Sequence, residues 1–101
     1  MASMQYDVLA SKPLTTDGQF VDQSDNNILR ARIKAVYIVP SGSAGSVVFK
    51  DGGASGQTRL TLNTTTDTGV VHMWMPGEGI LFNTNIYGDL TNITSVVIIY
   101  G

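Results

Sequence analysis

Arg32-Ile33-Lys34-Ala35-Val36-Tyr37-Ile38-Val39 is the stretch from which the fold can be read. Side chains alternate between faces along a strand, so Ile33, Ala35, Tyr37 and Val39 are expected to share one apolar face. The other face is cationic at Arg32 and Lys34 and apolar at Val36 and Ile38, which describes a strand that starts at a rim and ends deep. Pro40 to Gly45 turns the chain, Ser46 to Lys50 is a second strand, and Asp51 to Gly56 turns it again. Thr58 to Asn63 then alternates cleanly, with Leu60 and Leu62 inward and Arg59, Thr61 and Asn63 outward, as in a half-buried strand.

Further along, Val70 to Met75 is expected to be a strand stopped by Pro76-Gly77-Glu78-Gly79, followed by Ile80 to Phe82 and a short piece at Ile86-Tyr87. Ser95 to Tyr100 carries β-branched residues on both faces, as a central strand does when it is covered on two sides or placed at a subunit contact. Upstream, Gln5 to Ala10 is expected to be a first strand, ended by Lys12-Pro13, and Thr15 to Asn27 a polar surface connection pinned by Phe20-Val21. The fold class that follows is all-β: an antiparallel β-sandwich of about seven to eight short strands, with a jelly-roll-like arrangement as one form of it. The 101 residues are expected to form a single domain, with residues 1–28 as a less regular N-terminal arm.

Charged residues make up 14% of the chain against about 25% in ordinary globular domains. The surface must then rely on Thr, Ser, Asn and Gly, and it repels neighbouring subunits weakly. A net charge of -2 gives no global field to hold a polyanion, so nucleic acid is not an expected partner. The absence of cysteine excludes disulfides, thiol chemistry and thiolate metal sites. The longest apolar runs, Ala35 to Val39 and Val96 to Tyr100, fall far short of the ~20 residues a membrane-spanning helix needs, and no basic-then-apolar segment opens the chain. The expectation is a soluble chain with no secretory signal and no membrane partner.

The residues that could carry chemistry are few. His72, the one histidine, lies in an expected strand, where a solvent-facing or interface position explains it. Most carboxylates fall in expected turns, where they cap backbone amides; Glu78 with Asp89 is the pair that a two-carboxylate hydrolase would need. Ser43 sits one residue short of a nucleophile elbow, and Gly52 to Gly56 precedes a strand where a phosphate loop would precede a helix. Asp22 to Asn27 lacks the glycine and terminal glutamate of a calcium loop. No catalytic residue, cofactor or metal ligand is assigned, and the chain is read as no enzyme.

Contact residues are easier to name. Arg30, Arg32 and Lys34 share a face if one strand runs through all three, making a basic stripe. Such a stripe either discourages stray strand pairing or meets an acidic partner surface. Trp74, flanked by Met73 and Met75, is a candidate contact anchor as well as a candidate for core packing. Beside Asn- and Thr-rich loops, Trp74 and Tyr87 would also suit a carbohydrate-binding module.

Several runs resemble small virion structural proteins of tailed phages, those of marine bacteria and cyanobacteria in particular. They are Arg32 to Tyr37, Gly45 to Gly53, Thr58-Arg59-Leu60, Met75 to Phe82 and Leu90 to Val96, and the likeness covers Leu29 to Gly101. The resemblance implies a β-sandwich decoration or cement protein on the outside of a capsid, or a vertex knob or fibre-attachment protein. Its partners would be the major capsid protein or other virion proteins, its location the virion, and it brings no catalytic residue with it. A homo-oligomer is expected, a trimer above others, with apolar positions such as Val97 and Ile99 covered between subunits.

Overall fold

The computed structural model describes residues 9–101. Nine strands form two antiparallel sheets: β1 (Leu9–Ala10), β2 (Gly18–Gln19), β3 (Ala31–Pro40), β4 (Gly45–Asp51), β5 (Gln57–Thr64), β6 (Val71–Trp74), β7 (Ile80–Phe82), β8 (Tyr87–Thr91) and β9 (Ile93–Tyr100). One sheet runs β1-β9-β3-β6 with β7 also on β3, and the other runs β2-β8-β4-β5. The all-β sandwich expected from the turn spacing is present, with one strand more than expected because the two-residue β2 forms inside the Thr15 to Asn27 connection. Residues 5–8 of the expected first strand lie outside the described residues. No helix among the described residues is long and apolar enough to cross a membrane.

The core lies between the sheets. Phe20 is only 1% exposed and stacks on Phe49, with ring centroids 5.8 Å apart. Phe20 thus anchors the polar Thr15 to Asn27 connection, as its isolation in the sequence suggests. Each buried phenyl ring contributes about 1.5–3 kcal/mol of hydrophobic stabilisation. Gly88 of β8 makes room for this pair: a Cβ there would meet Phe20 at 2.9 Å and Leu14 at 2.6 Å. In β5, Leu62 is buried and Arg59, Thr61 and Asn63 are exposed, so the period-2 reading of that strand holds.

The pattern expected for β3 does not hold along its whole length. Ile33 pairs with Tyr100 and Ala35 with Ile99, so Lys34 has no partner in β9 and forms a bulge. An extra residue shifts the alternation by one, and the inward set becomes Ile33, Val36, Ile38 and Pro40. Ala35, Tyr37 and Val39, expected beside Ile33, fall on the outer face instead. The bulge coincides with a break in the adjoining edge: β7 pairs with Ala31 to Ile33, β6 with Ala35 to Ile38, and the Met75 to Gly79 turn sits between them. There the Met75 amide donates to the Lys34 carbonyl at 3.0 Å.

Candidate functional site

Register across the larger sheet assembles its outer face row by row. Residues directly opposite one another share a face, which places Ala10, Ile99, Ala35 and Trp74 in one row. Val97, Tyr37 and His72 form the next, and Ser95 and Val39 the one beyond. The inward neighbours Val36, Ile38, Val96 and Ile98 are fully buried; on the outer face Ala35 is also buried, and Tyr37, Val39, Val97 and Ile99 are partly exposed. Trp74 is 65% exposed. Its indole meets His72 edge-on at 5.3 Å, and His72 lies flat on Tyr37 at 4.5 Å. Aromatic stacking across strands in this way makes a continuous aromatic and aliphatic patch on the side away from the core.

The outer face of the second sheet differs. Its outward positions are mainly polar, with Ser46, Thr61, Asn63, Thr91 and the Lys50–Asp89 pair at 3.6 Å, and Val48 and Tyr87 among them. That face is polar; the Trp74 face is not.

Charge is divided in the same way. Lys12 pairs with Asp25 at 2.7 Å, Lys50 with Asp89, and Arg59 with Asp51 at 3.1 Å. Among the described residues Arg30, Arg32 and Lys34 make no ion pair and no strand of the Trp74 sheet contains a carboxylate. The expectation that one strand carries all three cations is corrected in detail. Arg30 precedes β3 at a bend, Arg32 faces outward opposite Leu81, and Lys34 is the bulge residue. They still cluster at the entry of β3, and Lys34 immediately precedes Ala35, the strand partner of Trp74. Arg32 shares the outer face with Trp74, Lys34 is the bulge residue between their two rows, and Arg30 lies before the strand.

The other candidates are dispersed. Glu78 lies in the turn between β6 and β7, while Asp89 lies in β8 of the other sheet, ion-paired to Lys50. Asp89 was expected in a loop and is in a strand. Asp22 spends one carboxylate oxygen on the amides of Ser24 and Asn26, as a turn cap does. Gly52 to Gly56 joins β4 to β5 as a hairpin connection. Among the described residues no three His, Cys, Asp or Glu side chains converge to hold a metal ion.

One chemically notable group escaped the sequence reading. Asp51, at the end of β4, has a side chain only 6% exposed and accepts from the amides of Asn83 and Thr84 at 2.9 Å and from Arg59. Burial pushes its carboxyl up, but those amides, the Arg59 guanidinium and the Asn85 amide outweigh burial and hold it below the ordinary carboxylate range. Its role is architectural: it ties β4 and β5 to the loop before β8. Nothing in the sequence brings Asn83 and Thr84 near Asp51, so no local signal could have found it.

Comparison with known proteins finds no matching family model, no matching curated protein and no matching solved structure.

Proposed function

We propose that the chain is a structural subunit of a tailed-phage virion, a decoration or cement protein that binds the outside of the shell and works through contact alone. The observation that carries this is the two-faced sandwich: one outer face polar, the other aromatic and aliphatic with Trp74 65% exposed. Water does not favour such a patch on a free monomer, and contiguous exposed apolar surface marks interaction sites. An antiparallel sheet that is apolar on both faces is suited to being covered on both.

The resemblance of Leu29 to Gly101 to small phage virion proteins supplies the identity of the assembly, and the major capsid protein or another virion protein is the partner class. Strand order also supports the reading. Written side by side, β1-β9-β3-β6 and β2-β8-β4-β5 match each strand with a neighbour in sequence, which we read as a jelly-roll-like wrapping. That architecture serves viral capsid and lectin domains alike, so the face and not the fold carries the functional weight. A cement subunit bridges neighbouring coat subunits, and many identical weak contacts add through effective concentration.

A carbohydrate-binding role for host contact, at a vertex or tail fibre, is the second reading, favoured by the Tyr37, His72 and Trp74 platform. The two are separated by locating the chain in purified particles and by a glycan array. Regular copies on the shell with no glycan bound support the cement role. A tail or vertex position with specific glycan binding supports the second reading, and absence from the particle overturns both.

A further inference from the structure

We infer that the Trp74 face docks an acidic segment of a neighbouring polypeptide that also carries aromatic or aliphatic side chains. This rests on the assembly reading above and names the chemistry of the partner. The charge pattern selects it. Arg32 and Lys34 lie at the start of β3 with Arg30 just before it; among the described residues none of the three has a carboxylate partner and no strand of that sheet holds an acidic residue. The chain as a whole is nevertheless acidic, with eight carboxylates to six cations. A positive end beside an apolar patch matches a partner segment that pairs acidic side chains with apolar ones in the same order.

A second copy of this chain fits the face less well. Of the described carboxylates, Asp17 and Asp22 hold backbone amides, Asp67 accepts from Thr65, and Asp25, Asp51 and Asp89 are ion-paired. Glu78 alone is left without such a bond, so a copy offers little to three clustered cations. A polyphosphate or sulfated glycan would match the cations and leave Val97, Ile99 and Val39 against water-seeking groups.

The test uses the full chain and three probes: a soluble random copolymer of glutamate and tyrosine, heparin, and a thymidine oligonucleotide. Binding is read from Trp74 emission, the chain having one tryptophan. The copolymer is expected to bind with a blue shift, to weaken as salt rises from about 0.05 to 0.5 M, and to outcompete both other polyanions. Lys34→Glu should weaken it by about tenfold or more, while the charge-matched Lys12→Glu should change it less than about twofold. Should Lys34→Glu fail to fold, Arg32→Glu and the salt dependence of the unaltered chain test the same point. The inference is overturned if the copolymer does not bind, if heparin or the oligonucleotide binds as tightly, or if the free chain already self-associates with Trp74 buried. Mass spectrometry of purified particles tests the assembly reading separately, because a virion subunit can dock by another face.

Discussion

Tyr37 and His72 stand directly opposite each other on β3 and β6, their rings 4.5 Å apart at the centroids and 9° from parallel. The stack lies on the outer face of the sheet, where it stabilises nothing in the core and presents a flat aromatic surface beside Trp74. Cross-strand pairs of this kind contribute about 0.2–1 kcal/mol each. His72→Ala should therefore cost at most about 1 kcal/mol in urea unfolding and leave the fold intact. A larger loss would mean that this edge holds the sandwich together.

Trp74→Ala should be close to neutral, within about 0.5 kcal/mol, because the indole is mostly exposed in the free chain. The same exposure gives a direct readout: emission of the free monomer should lie near that of an indole in water and move to shorter wavelength on docking. Emission already blue-shifted in a monomer would show that the patch is covered from within.

Phe49→Ala gives the contrasting case. Phe49 is fully buried against Phe20, and removing its ring should cost about 3–5 kcal/mol, a large share of the roughly 5–15 kcal/mol that holds a domain folded. Thermal denaturation of the two variants side by side separates the core from the docking face.

Asp51→Ala removes the acceptor for Asn83, Thr84 and Arg59 and should destabilise by about 1–3 kcal/mol. Because the folded carboxyl titrates below its unfolded value, its contribution is full at neutral pH and is lost as pH falls below about 4 toward the lowered pKa. The acid limb of a stability profile should be shallower in Asp51→Asn than in the parent chain. Identical limbs would place the acid sensitivity elsewhere.

Gly79→Ala probes the turn that sets the bulge. Gly79 has φ +92°, and a Cβ there would collide with the carbonyl oxygen of Ile33. The change should cost more than about 1 kcal/mol and loosen Met75 from Lys34, which amide hydrogen exchange at Met75 would report.

Much of this architecture is legible in residue order. Leu60 and Leu62 alternate with Thr61 and Asn63, and the phase is kept from Leu60 onward because the irregularity in β5 falls before it, at Arg59. Phe20 stands out as the one large apolar side chain in a polar run. In β3 the same reasoning fails at Lys34, where the bulge coincides with the turn on the neighbouring edge, a contact that is invisible from β3 itself. The face that carries Trp74 was therefore readable as a set of residue types and not as a surface: Tyr37 and Val39 had to change sides before they could join Val97, Ile99 and His72. Asp51 was out of reach for a similar reason, since the amides it binds, those of Asn83 and Thr84, lie more than thirty positions away.

Cryo-electron microscopy of the virion tests the central proposal most directly. Regular copies bridging coat subunits, with Trp74, Tyr37 and Ile99 turned toward an acidic coat surface, are the expected result. Particles that lack the chain altogether would contradict it, and copies on the shell whose Trp74 face points into solvent would contradict the docking assigned to that face.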